Sequence, residues 1–307
     1  MFKLVPRTVN RLLLLLTMVL VLRAVLSFAG DQGGDPVTLI DKYHKFEESL
    51  AKTSPGIQVH LYSDIQKNSS SADIYGIFDH PFDIVEKALS EPSEWCEIVL
   101  PHINIRACTS SNTGSNWLLT LYNVTKYYQP IEEATQLKYS YYLLARRPDY
   151  MDILFRADDG PFHSHDHRLK IEAMPIGQDK TFVHLSYSYR YGTFSYMTMK
   201  SYFGLFGGKR VGFSTTGVDS KGGPVYVSGL KGAVERNVMR YYLAVEAYLD
   251  TLKYPAEQRF EKRISHWYDL TARFKRQLFE MEKKEYLDYK RRDIKNQMLL
   301  QNAYKPQ

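Results

Sequence analysis

Apolar and polar positions alternate with period two through the middle of the chain. Trp117, Leu119 and Leu121 share one face of Trp117–Asn123, and Leu137, Tyr139, Tyr141 and Leu143 share one face of Leu137–Ala145. In Met151–Ala157, Met151, Ile153 and Phe155 leave Asp152 and Arg156 opposite. In His165–Ala173, His165, His167, Leu169, Ile171 and Ala173 oppose Asp166, Arg168, Lys170 and Glu172. In Thr181–Tyr191, Val183, Leu185, Tyr187, Tyr189 and Tyr191 oppose His184, Ser186, Ser188 and Arg190. So many alternating segments predict an antiparallel meander with one buried face. Gly160-Pro161 and Gly177–Asp179 mark its turns. Gln58–Ile65 and Ala72–Phe78 read as earlier strands joined by the polar turn Gln66–Ser71.

The spacing changes to three and four in Lys231–Leu252. Val234, Val238, Tyr241, Val245, Tyr248 and Leu252 fall on one face of a long helix. Glu235, Arg236, Arg240, Glu246 and Asp250 fall mostly elsewhere, with Glu235 in the first turn, where the helix dipole favours an anion. Tyr254-Pro255 ends the run. Shorter helices are expected at Val37–Lys52, at Pro81–Leu89 and at Ser93–Leu100, the last capped by Ser93 and ended by Pro101. Phe194–Phe206, aromatic and Met-rich, fits no strand and reads as a helix or lid over the sheet. Lys209–Phe213 and Pro224–Val227 read as two short strands.

At 307 residues the chain has room for one large domain with accessories. Residues 1–29 read as a secretory signal peptide: Lys3, Arg7 and Arg11 precede the apolar run Leu12–Leu22, and Ser27-Phe28-Ala29 fits a cleavage site. Arg23 shortens the run below what a spanning helix needs; an uncleaved membrane anchor is the alternative. The formal charge of +6 is unevenly placed: residues 1–30 carry +4, residues 255–307 carry +5, and the middle is −3. The basic character belongs to leader and tail, so the main domain offers no nucleic-acid surface. Cys96 and Cys108 are the only cysteines, and in an exported chain they are expected to pair, tying a short helix to the next strand. Asn68 and Asn123 stand in sequons, relevant only where the export route glycosylates.

The order is then strand, short helix pair, antiparallel strands and long C-terminal helix. This resembles the helix-grip α+β fold of the START-like superfamily, which includes lipid-transfer proteins, pollen-allergen relatives and polyketide cyclases. Ala72–Phe78 matches the first strand, PFDIVEKALSEPSEWCEIVL the helix pair, and KGAVERNVMRYYLAVEAYL the gripping helix. The implied organisation is a signal peptide (1–29), a linker with a short helix (30–57), a helix-grip domain (58–254) and a basic helical tail (255–307). An insertion at Thr193–Pro224 and the tail depart from a minimal member.

The resemblance implies a hydrophobic cavity between sheet and long helix. Its walls are expected from Tyr139, Tyr141, Phe155, Tyr187, Tyr189 and Tyr191 on the strands. Val238, Tyr241, Tyr242 and Val245 would close it from the helix, and Met197 and Tyr202 from the lid; the competing reading of these side chains is a well-packed core. Arg156, Arg190, Arg236 and Arg240 are candidates for meeting an anionic head group. His163, His165 and His167 would project to one side of a strand and could hold a metal; the competing reading is a solvated hairpin tip. Ile264, Trp267, Phe274, Leu278 and Met281 form a stripe in the tail, read as a membrane-surface helix, a helix packed on the domain, or, over Tyr286–Gln307, a solvated charged helix. No nucleophile triad, phosphate loop or cofactor motif stands out. The leading expectation is an exported protein that binds or transfers a lipid or polyketide-like molecule. The alternatives are a cyclase or aromatase working in the same cavity and an envelope module acting through its tail.

Overall fold

The computed structural model describes residues 34–51, 57–114, 116–205 and 210–303. The expected leader lies outside them. Helix α1 (Pro36–Ala51) precedes strands β1 (Val59–Ile65) and β2 (Ser69–Phe78). Two short helices follow, α2 (Phe82–Leu89) and α3 (Trp95–Val99). Then come β3 (Ile105–Asn112), β4 (Trp117–Asn123), β5 (Thr135–Arg147), β6 (Tyr150–Asp159), β7 (His165–Pro175) and β8 (Thr181–Arg190). Helix α4 (Thr193–Leu205) and a small hairpin of β9 (Thr215–Val218) and β10 (Pro224–Tyr226) lead into the long helix α5 (Gly229–Thr251). Helices α6 (Ala256–Ala272), α7 (Lys275–Leu278) and α8 (Lys283–Ala303) complete the described chain.

The eight long strands form one sheet in the order β1-β2-β8-β7-β6-β5-β4-β3, every neighbour antiparallel. Helix α5 lies across it, so this is the helix-grip α+β architecture. The grip is tight at Gly76 of β2. A Cβ there would fall 2.4 Å from the Tyr242 hydroxyl oxygen, so only glycine leaves room for that ring. Tyr242 is fully buried and stacks on Phe78, ring centroids 4.9 Å apart. Cys96 on α3 and Cys108 on β3 form a disulfide.

The structure departs from the sequence reading where neighbours override local pattern. β2 begins at Ser69 rather than Ala72, because Ser69–Ser71 pair with Ser188–Arg190 of β8 and the turn shrinks to three residues. Ser93 caps no helix; its hydroxyl bonds Glu91, and Pro92–Glu94 is a single 3₁₀ turn. Leu143 lies opposite the buried Ile153 but is 39% exposed, at the point where the β5–β6 register shifts between Leu143 and Ala145 and puts Ala145 opposite Asp152 of the outer face. The described residues of the expected strand Lys209–Phe213 are irregular and pack over Glu235.

Both sheet faces carry buried material. On the outer face, α1 covers a cluster of Leu39, Leu50, Tyr75, Tyr150, Met174 and Phe182. Asp152, on that same face, is fully buried with Lys170 Nζ 3.4 Å away. The polar side of α5 is also enclosed. Glu235 is buried and accepts hydrogen bonds from Ser63 and from the backbone N–H groups of Phe213 and Ser214. It is therefore a tertiary anchor rather than a solvated first-turn charge.

The tail is part of the fold. Its apolar stripe, Ile264, Trp267, Phe274, Leu278 and Met281, is buried in the main core, because α6 packs along α5. The membrane-surface reading loses the apolar face on which it rested. Helix α8 runs along β3, an edge strand of the sheet. Gln297 accepts from the Cys108 N–H at 2.9 Å, and Gln301 exchanges two hydrogen bonds with the Ser110 backbone. One turn apart on the helix, these amides satisfy backbone groups that an edge strand would otherwise leave open. Deeper in, Lys290 donates to the carbonyls of His102 and Ile105. Tyr286 and Lys290 are each 1% exposed, so this segment is not the solvated helix that its charge pattern allows.

Candidate functional site

Most of the space between α5 and the sheet is filled. Tyr139, Phe155 and Tyr241 meet around a residual void of about 20 Å³, room for about one water molecule. Val238, Tyr242 and Val245 are core residues. Tyr141 donates its hydroxyl to the Ser90 carbonyl, and Tyr191 donates to the carbonyls of Gln66 and Ser69. These side chains, expected as cavity walls, are large enough to close the interior between them. Met197 is 61% exposed, on the outer side of its helix. Of the twelve expected ligand contacts, Tyr187, Tyr189 and Tyr202 remain.

Those three line a cavity of about 410 Å³ toward the N-terminal half of α5. Four elements frame it: α4, the loop Val124–Tyr128 after β4, the turn Pro161–His163 before β7, and α5 from Ala233 to Arg240. Helix α4 covers it as a lid with a defined inner side. Ser195 and Met199 are buried and Tyr202 and Phe203 half-buried, at helical spacing, while Phe194 and Met197 point outward. Tyr202 and Phe203 close on Phe162, with ring centroids 5.4 and 6.4 Å away.

The three histidines do not converge. His163 and His165 are exposed and only His167 is buried. Positive φ at Phe162, His163 and Asp166 and a register shift after His165 break the alternation that would align them. Among the described residues no group of three potential metal ligands comes together. His167 instead forms part of the cavity wall. Its ring stacks on Tyr189 at 5.2 Å and occupies the space beside Gly160, where a Cβ would lie 2.1 Å from Nε2. Ser164 donates to the Pro161 carbonyl, so its oxygen accepts from His167 Nε2–H at 2.9 Å. His167 Nδ1 is then the acceptor for the Tyr187 hydroxyl at 3.0 Å. Burial, helped by the charge of His165, lowers the His167 pKa to about 4, so this ring is neutral near pH 7.

The opposite wall is cationic. Arg236 and Arg240 lie one turn apart on α5, 5% and 6% exposed. Arg240 donates to Glu280 at 2.7 Å, and Arg210 contacts the other oxygen of the same carboxylate. Arg236 donates to the Val211 carbonyl at 3.2 Å. Burial first, then the neighbouring charge of Arg240, lowers the Arg236 pKa to about 10. Burial also lowers that of Arg240, against the pull of Glu280. Arg156 and Arg190, the other two anion candidates, do not line the cavity; Arg156 is 3.8 Å from Asp166, and Arg190 is exposed.

Sequence reasoning missed Asn104, Asn123, Lys126, Arg210 and Glu280 as cavity residues. Little in the local sequence marks them: Asn123 ends β4, and the others sit in connections and in the tail. Glu280 reaches Arg240 across forty positions. The run Lys126-Tyr127-Tyr128, amphipathic side chains in a loop, was the one available hint.

No family model matches the chain, and no curated protein matches it. Solved structures with some likeness include a truncated norcoclaurine synthase from Thalictrum flavum, 12% identical, covering 45% of this chain and 86% of that one, with a TM-score of 0.33. CalU16 from Micromonospora echinospora is 13% identical over 70% of this chain and 98% of its own, with a TM-score of 0.29. The human StAR-related lipid transfer protein 5 is 8% identical over 50% and 82%, with a TM-score of 0.28. Likeness at this level transfers no ligand, activity or residue role to this chain.

Proposed function

We propose that this is an exported protein that binds, and hands on, one compact hydrophobic molecule in the cavity beneath α4. The observation that carries this reading is the cavity itself: about 410 Å³, roofed by α4 and walled by Phe162, Tyr187, Tyr189, Met199 and Phe203. That volume is near the lower end of the roughly 300–1,000 Å³ of small-molecule sites, which favours a single-chain or ring-bodied ligand over a two-chain lipid. Affinity would come from burying apolar surface, about 25 cal/mol per Å² before the costs of binding. Exchange would need only an outward shift of α4, whose outer face is already solvated. Export is supported by the leader-like N-terminus and by the disulfide, which persists in oxidising compartments.

A cyclase-type reaction in the same cavity would need an acid–base group poised near the working pH. His167, with both nitrogens engaged and its pKa near 4, is not poised in that way, and this favours binding. Titration with the neutral fluorophore N-phenyl-1-naphthylamine tests the reading. Saturable one-to-one binding is expected in the native chain. Ala233→Trp, which puts an indole into the cavity from α5, should weaken it at least tenfold at an unchanged thermal midpoint. Equal affinity in both proteins, or no saturable binding, would overturn it.

A further inference from the structure

The donors on the α5 wall outnumber the acceptors facing them. A guanidinium has five N–H donors and stays protonated at any working pH. Arg236 makes one hydrogen bond, to the Val211 carbonyl. Arg240 bonds Glu280, while its Nε is buried with no partner. With Arg210, three guanidiniums at the cavity meet two carboxylates, Glu280 at the rim and the buried Glu235 behind Arg236, which leaves one positive charge in excess. Both α5 arginines are more than nine-tenths buried. Buried charge that is left unmatched is strongly unfavourable, so an arrangement like this is complementary to an anion entering the cavity. The i, i+4 spacing puts the two forks on one side of the helix, where they can share one carboxylate-sized group. Across the cavity the wall is aromatic and carries no second cationic side chain of this burial among the described residues.

Resting on the binding reading above, we propose that the ligand is an amphipathic organic anion. Its single compact acidic group, a carboxylate or an oxyanion of similar size, bonds Arg236 and Arg240, and its apolar body lies against Tyr189, Met199 and Phe203. The polarity is fixed: acid toward α5, body toward the lid. A neutral lipid of the same shape would leave the donors unsatisfied and bind more weakly on that ground.

Two probes that differ by one sulfonate decide the matter. 1-Anilinonaphthalene-8-sulfonate carries the anion on the ring system of N-phenyl-1-naphthylamine. The native chain should bind the sulfonate at least tenfold more tightly than the neutral probe. Arg236→Gln should weaken the sulfonate about ten- to a hundredfold, the range for a charge-assisted hydrogen bond. The same variant should hold the neutral probe within twofold, which also reports that it is folded. Arg236→Lys should recover only part of the loss, because an ammonium cannot make the forked contact. If both probes bind the native chain equally, or if Arg236→Gln weakens both alike, the anion site is wrong. Ala233→Trp blocking the neutral probe would still uphold the hydrophobic site in that case. If neither probe binds the native chain, both readings fall. Should Arg236→Gln not fold, the ratio of the two probes on the native chain decides alone.

Discussion

Asp293→Ala is expected to destabilise the fold by about 3–5 kcal/mol, the range for removing one partner of a buried ion pair. Asp293 accepts from Arg106 Nη1 through both carboxylate oxygens at 3.1 Å and from Lys290 Nζ at 2.9 Å. All three side chains are at most 4% exposed. Lys290 can adapt, because burial has already lowered its pKa to about 8 and it can shed its proton. Arg106 cannot, and its Nε and Nη2 are already buried without partners. The variant would leave a guanidinium in the core with only the face of Tyr289, 5.2 Å away, to meet it. The measurement is the free energy of urea unfolding. Replacing all three residues together by apolar ones should cost much less than the single change, since no charge is then stranded. A loss below about 1 kcal/mol for Asp293→Ala would mean that α8 is not anchored on β3 as described.

Tyr242→Ala should cost about 3–5 kcal/mol, as expected for emptying a fully buried aromatic site. This ring joins α5 to β2, the strand next to the β1 edge of the sheet, and Gly76 exists to admit it. The coupling can be measured. Gly76→Val in the native background forces the ring aside and should cost about 1–3 kcal/mol. In the Tyr242→Ala background the same valine enters the space left by the ring and should cost less or become stabilising. A double-mutant cycle in denaturant would read a coupling of at least about 1 kcal/mol. Additive effects would mean that helix and sheet do not meet at this point.

The two predictions concern residues of unequal legibility. The meander and the long helix were readable because alternation in β4, β6 and β8 and the three-four spacing of α5 each point to one buried face. That signal fails where the backbone departs from the ideal period. The shift between Leu143 and Ala145 moves Ala145 to the outer face, and the positive φ values around His163–Asp166 scatter a row of histidines. It also fails where a later element covers a polar face. Glu235, Arg236 and Arg240 look like solvent-side residues of an amphipathic helix, and only α4, the segment after Arg210 and the tail make them interior. The pairing of Arg106 with Lys290 and Asp293 is equally silent in sequence: Arg106 stands nearly two hundred positions before the other two. The candidate site was half legible. Tyr187, Tyr189, Tyr202, Arg236 and Arg240 were identifiable from periodicity and residue chemistry. Whether the space along the helix was open or filled was not legible, because residue type does not reveal whether facing rings meet or leave a gap.

The most direct test of the central claim is native mass spectrometry of the full chain recovered from an exported fraction, followed by solvent extraction, with Ala233→Trp handled in parallel. The account predicts a one-to-one complex with a small molecule, released by solvent, carrying one acidic group on an apolar body, and missing from the Ala233→Trp protein. A native chain that stays bare after incubation with a total lipid and metabolite extract, or a ligand that Ala233→Trp retains undiminished, would contradict it.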